Sequence, residues 1–189
     1  MVVTNECARF MWIQIRARTS PPRDIYVAVC YFPPISSSYA IHNSLDGDPF
    51  TDLYSDITRF SAVGDILIGD FNAQTKDLQT PMHNRTEDIF CTRGIDPTTI
   101  GKHWTSEDHL EPTTAYGRYL LQLGESHELV ILNGLPCFPS SHFFTCRPFG
   151  GGASVVDYAI ANPNLLLYIK NFSITPIPLA DHALLLLSL

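Results

Sequence analysis

The chain has 189 residues, of which 45% are hydrophobic and 16% charged, enough apolar material for one core and too little charge for a disordered chain. Lys and Arg number 12 against 19 Asp and Glu, a formal net charge of −7, which argues against a stand-alone module gripping nucleic acid through a basic face. Five cysteines (Cys7, Cys30, Cys91, Cys137, Cys146) without a C-x-x-C pair, an N-terminus without a basic region ahead of an apolar run, and no apolar stretch of membrane length exclude a disulfide framework, a zinc ribbon and a membrane span, so an intracellular protein without a signal peptide, nuclear or cytoplasmic, is expected.

In chain order, Phe10 to Arg18 alternates Trp12, Ile13 and Ile15 with Gln14 and Arg16, which predicts a strand. Ile25 to Phe32 is β-branched, aromatic and almost wholly apolar, which predicts a strand buried on both faces. Pro33 and Pro34 end it because proline cannot donate to a ladder, and a Ser-rich loop follows. Phe50, Leu53, Tyr54, Ile57 and Phe60 fall at helical spacing behind Asp48, a candidate N-cap, so 48–60 is predicted helical. Asp65 to Phe71 predicts a second buried strand. Gln74 to Pro112 is polar and irregular, a long excursion from the core. Thr114 to Ser126 predicts an amphipathic helix with Tyr116, Leu120 and Leu123 on one face. Leu129 to Leu132 predicts a short strand. Phe143 to Cys146 and Val155 to Ala161 predict a strand pair joined by Gly150-Gly151-Gly152, and Ile174 to Ile177 with Ala183 to Leu189 are expected to close the sheet. Strands outnumber helices and helices separate only some of them, which predicts one α+β domain over residues 1–189.

Three polar clusters stand beside apolar strands. In Gly69-Asp70-Phe71-Asn72-Ala73 an acid and an amide two residues apart project to one side where a buried strand becomes a loop. There the carboxylate is able to take a proton from water and the amide to bind a phosphate oxygen, while Gly69 allows another group to approach closely. An Asx turn explains the same two residues without chemistry. In Ser154-Val155-Val156-Asp157-Tyr158 an acid interrupts an apolar run, which is costly without a partner unless the residue faces solvent. Ala180-Asp181-His182-Ala183 offers a carboxylate–imidazole pair suited to metal and phosphate, or an ordinary loop. His83, His103, His109, His127 and His142 fall in polar loops or at helix ends and read as solvated loop residues, and His103 and His109 match no common zinc spacing.

Taken in order, Tyr31-Phe32-Pro33-Pro34, Gly69 to Ala73, the Gly117-Arg118 helix leading to Leu132-Asn133-Gly134, then Phe144-Thr145, Val155 to Tyr158 and Ala180-Asp181-His182 resemble the endonuclease/exonuclease/phosphatase family. Within it the likeness is to endonuclease domains of non-LTR (LINE-type) retrotransposons, and it runs from Trp12 to Leu189. It implies roles for the matching residues: Asp70 deprotonates the attacking water, Asn72 holds Asp70 and the scissile phosphate, Asp157 orients His182, His182 contacts a phosphate oxygen, Asp181 is a metal-side carboxylate, and Tyr31 lies near the phosphate or leaving group. The implied metal is Mg²⁺, with Mn²⁺ as a substitute. The implied substrate is DNA. A small phosphoester, or a catalytically dead domain serving as an interaction surface, are the alternatives. The family's opening segment, with its asparagine and its metal-binding glutamate, has no counterpart here, since Glu6 stands in different surroundings. The resemblance therefore implies a partial four-layer α/β/β/α sandwich lacking its N-terminal segment, with an uncovered apolar face and its activity open.

Overall fold

A computed structural model of the chain describes residues 2–3, 9–17, 23–34, 37–39, 48–60, 65–75, 113–135, 137–138 and 144–189. The predicted excursion over 76–112 lies outside the described residues, as do His83, His103, His109 and His142. Six strands, β1 (Val2–Val3), β2 (Phe10–Ala17), β3 (Arg23–Tyr31), β4 (Asp65–Asp70), β5 (Val130–Ile131) and β6 (Asp157–Ala161), form one sheet in the order β1-β2-β3-β4-β6-β5. All pairs are antiparallel except β3–β4, whose parallel register sets Val27 against Ile66. Among the described residues, two helices, α1 (Pro49–Phe60) and α2 (Ala115–Ser126), a short third, α3 (Pro163–Leu166), and a hairpin of β7 (Asn171–Thr175) and β8 (Leu184–Ser188) accompany this sheet.

The period of two along each strand divides the core into two layers. Phe10, Trp12, Ala28, Cys30, Leu67, Tyr158 and Ile160 meet Phe50, Leu53 and Ile57 of α1 and Leu120 and Leu123 of α2. Ile25, Ile66, Ala159 and Ala161 point the other way and pack against Phe172 and Ile174 of β7, with Leu185 and Leu187 of β8 at the margin. Both long helices are capped as their sequences require. Asp48 Oδ1 accepts from the Phe50 N–H at 3.0 Å, and Thr114 Oγ1 accepts from the Gly117 N–H at 3.1 Å. Among the described residues no helix is long and apolar enough to cross a membrane.

The structure departs from the sequence reading in three places. The described part of the first strand in the predicted pair around the glycines reduces to isolated bridges of Cys146 to Ser154 and to His182, because the chain turns at once through Pro148 to Gly151. The last two strands form a sheet of their own rather than closing the large one. Finally, β3 is not buried on both faces: Val29 and Tyr31 are 43% and 47% exposed, because the small sheet covers only the Ile25–Val27 end of that face.

Trp12 is wholly buried and its indole Nε1 donates to Asp56 Oδ2 at 3.0 Å, tying β2 to α1. Trp12→Phe loses that bond and some packing, and is expected to cost about 1–3 kcal/mol in urea unfolding.

Candidate active site

Register brings the site together. Antiparallel pairing of β4 with β6 sets Asp70 directly against Asp157, and parallel pairing of β3 with β4 sets Tyr31 beside Asp70. The ladders continue past the strand ends, with the Phe32 N–H donating to the Asp70 carbonyl at 2.8 Å and the Phe71 N–H to the Val156 carbonyl at 3.0 Å. Asp70 is therefore fixed from both sides. Asn72 has a φ of 46°, the left-handed region that asparagine tolerates better than most residues. Its backbone N–H donates to Asp70 Oδ1 at 2.8 Å, and its Nδ2 donates to Asp70 Oδ2 at 3.1 Å and to the Phe32 carbonyl at 2.7 Å. The Asx turn and the chemical reading thus describe the same atoms, since the turn is what holds the carboxylate still.

Asp157 opens β6 and is only 6% exposed. His182 supplies the partner that its burial demands: Nδ1 lies 3.0 Å from both carboxylate oxygens. An Nδ1–H held by the carboxylate leaves Nε2 as the outward atom of the ring. Thr145, itself buried, joins the two segments. Its hydroxyl accepts from the Val156 and Asp157 N–H groups at 3.0 Å, and its carbonyl accepts from the Ala183 N–H at 2.7 Å. The donor atoms of Asp70, Asp157 and His182 lie within 4.8 Å of one another. Asp181 stands outside that cluster with an exposed side chain, its backbone carbonyl accepting from the Arg147 N–H at 2.6 Å.

The electrostatics follow from burial and crowding. Burial pushes the Asp70 carboxyl up to about 6, Asp157 adds to the rise, and the Asn72 hydrogen bonds with the charge of His182 oppose it. Burial also raises Asp157, against the Thr145 and His182 hydrogen bonds. Burial draws His182 down, but the charge and hydrogen bond of Asp157, helped by Asp70 and Asp181, leave it net above its ordinary value. All three groups therefore hold protons more tightly folded than unfolded. Their stabilisation is present at low pH and is lost as pH rises, for Asp70 between about 4 and 6 and for His182 above 6.5. In chelator, the melting temperature is expected to fall from pH 5 to pH 7.5, and Asp70→Ala to flatten that slope, as read by thermal melts across the range.

Two carboxylates pressed together by register form a donor set that fits a hard divalent cation, which favours carboxylate oxygen and would relieve their mutual repulsion. The carboxylates of Asp70 and Asp157 would face it, with Asp157 keeping its bond to His182 and Asp181 at the outer margin.

Tyr31 is half exposed and its ring lies edge-on to Tyr39, with centroids 6.2 Å apart. His127 is not a solvated loop residue. It is half-buried against Tyr54, ring centroids 4.4 Å apart, and burial lowers its pKa. Two polar side chains around Asp157 were not among the candidate residues, Thr145 and Asn133, which is wholly buried. Both stand in the ordered motifs that carry the resemblance, Leu132-Asn133-Gly134 and Phe144-Thr145, but the resemblance implied no role for either.

No protein-family model matches the chain, and comparison with curated proteins gives no match. Solved structures do match. The endonuclease domain of TRAS1, a telomere-specific non-LTR retrotransposon, superposes with a TM-score of 0.57 at 17% identity, over 99% of this chain and 65% of that one. The chain has the endonuclease/exonuclease/phosphatase fold. The Xenopus laevis APE2 catalytic domain gives a TM-score of 0.58 at 16% identity over 95% of this chain and 56% of that one, and the Neisseria meningitidis 3'-5' exonuclease NExo gives 0.53 at 14% over 95% and 64%. The chain thus spans about two thirds or less of the length of each of these endonuclease/exonuclease/phosphatase-fold neighbours.

Proposed function

We propose that residues 1–189 form one domain that hydrolyses phosphodiesters of DNA with a divalent cation, Mg²⁺ or Mn²⁺. One observation carries the reading: Asp70, Asp157 and His182, from three separate parts of the chain, place their functional atoms within 4.8 Å on an endonuclease/exonuclease/phosphatase-type fold. The three neighbours, an endonuclease domain, a nuclease-fold catalytic domain and an exonuclease, support DNA as the substrate.

In this reading Asp70, raised to about 6, is ionised at neutral pH and still basic enough to take a proton from water. Asn72 keeps that carboxylate aimed through its two bonds, and its Nδ2 reaches the phosphate by exchanging the Phe32 carbonyl for a phosphate oxygen. Asp157 fixes the His182 ring, so that Nε2 donates to a non-bridging phosphate oxygen as negative charge grows there. Asp181 lends negative charge at the margin, and Tyr31 borders the leaving group from the adjoining strand. A bound divalent cation would supply charge neutralisation and polarise the phosphate.

The net charge of −7 favours a second reading, a small phosphoester in place of a polyanion. Nicking of supercoiled plasmid in Mg²⁺, set against release of phosphate from inositol phosphates, separates the two. Nicking by the wild type and not by Asp70→Ala supports the first. Phosphate release without nicking replaces it with the second, and neither activity overturns both.

A further inference from the structure

At its site end, one edge of β6 has no strand beside it among the described residues. β5 pairs with β6 only through Val130 against Ala161 and Ile131 against Ile160, and the Leu132 N–H then donates to the Ala159 carbonyl at 2.8 Å. Beyond this point the chain leaves the sheet through Gly134, whose φ is 74°. The polar groups of β6 on either side of Asp157 would be left bare. The side chain of Asn133 takes the place of the missing strand. Its Nδ2 donates to the Asp157 carbonyl at 3.0 Å and its Oδ1 accepts from the Ala159 N–H at 3.0 Å. One amide thus reproduces a donor and an acceptor of a ladder across two residues of β6. Thr145 Oγ1 serves the next group along the same stretch, the Asp157 N–H.

We infer that Asn133 is a positioning residue for the Asp157–His182 pair. It touches neither the phosphate nor the water. It fixes the backbone of Asp157 at the carbonyl, one atom beyond the Cα that carries the carboxylate, and that carboxylate fixes His182. On the opposite edge Asp157 is paired with Asp70, so a loosened β6 moves the imidazole and the two carboxylates relative to one another. Catalytic geometry tolerates little such movement. The inference rests on the phosphodiesterase reading for its kinetic consequence but not for its structural one.

The test compares Asn133→Leu, which keeps the branched outline and removes both bonds, with Thr75→Val. Thr75 is equally buried and bonds the Tyr158 hydroxyl, away from the Asp157 carboxylate, so its variant loses a buried hydrogen bond of the same sheet without touching this edge. Two quantities are read on full-length protein: plasmid nicking kinetics in Mg²⁺, and the His182 Hδ1 resonance in ¹⁵N-histidine-labelled protein, assigned by its absence from His182→Gln. Asn133→Leu is expected to lower kcat about 10–100-fold with little change in KM, and to shift or broaden away the Hδ1 signal. Thr75→Val keeps both. A folded Asn133→Leu with kcat and Hδ1 like those of Thr75→Val overturns the assignment. If the leucine variant does not fold, Asn133→Ser is read in the same way. Failure of both to fold beside a folded Thr75→Val makes Asn133 a structural residue and overturns it too. If the wild type cleaves nothing, the proposed activity fails, and the Hδ1 comparison alone decides the role of Asn133.

Discussion

Asp70→Ala is expected to lower metal-dependent plasmid nicking by about 10²–10⁴-fold while the domain stays folded. The loss is large because no other described group is placed to substitute. Asp157 is committed to His182 through both oxygens, and Asp181 lies outside the cluster. Folding survives because the substitution removes a carboxylate that burial already disfavours, and what it orphans is the Asn72 backbone N–H and one Nδ2 hydrogen, both only partly buried. The pH dependence supplies an independent check. A base works only when ionised, so the rate is expected to rise with pH on an acid limb below about 6, the value that burial gives Asp70 before the cation's charge draws it down. His182→Ala is expected to keep an acid limb, moved upward because the imidazolium no longer holds the Asp70 pKa down, and to lower the plateau, because the imidazole acts on the phosphate and not on the water. Retention of near wild-type nicking by Asp70→Ala, in protein checked by circular dichroism, removes Asp70 as the base and with it the proposed reaction.

Much of this site was legible in the sequence because its polar residues interrupt strongly apolar strands. Asp70 ends an apolar run that becomes β4, and Asp157 begins one that becomes β6, so the burial that gives each its chemistry is written locally. The helices were legible for a related reason. Phe50, Leu53 and Ile57, and Leu120 and Leu123, repeat at the helical period behind Asp48 and Thr114. Less legible was everything that depends on which strand meets which. That Asp70 faces Asp157 follows from the β4–β6 register, a pairing across almost ninety residues of sequence that no local period encodes. The separation of β7 and β8 into their own sheet is likewise non-local, since Phe172 and Ile174 are apolar whichever sheet they join. Asn133 and Thr145 were missed as functional candidates because their value lies in filling the bare edge of β6, and that edge exists only once β5 has ended.

Gly69→Ala is expected to be the most damaging single substitution in the strands that build the site, costing about 4 kcal/mol or more, or abolishing soluble expression. Two independent effects act together. The backbone of Gly69 has a φ of 144°, where a side chain is strained by about 1–3 kcal/mol before any contact is considered. A Cβ at this position would also lie 2.0 Å from the carbonyl oxygen of Cys30 and 2.9 Å from its carbonyl carbon. Those atoms belong to the backbone of the adjoining strand, so no rotamer change relieves the overlap, and β3 must move away from β4. The movement falls between the pairs that set Tyr31 beside Asp70 and Asp70 against Asp157, so stability and site geometry fail together. Gly150→Ala is the matched control, because nothing lies within 4 Å of a Cβ there, and it is expected to change stability by no more than about 0.5 kcal/mol. Urea unfolding of the two variants beside the wild type decides the matter. A Gly69→Ala protein within 1 kcal/mol of the wild type (about the cost of an ordinary substitution) would mean that β3 and β4 do not approach this closely, and the register that brings Asp70 to Asp157 would fall with that approach.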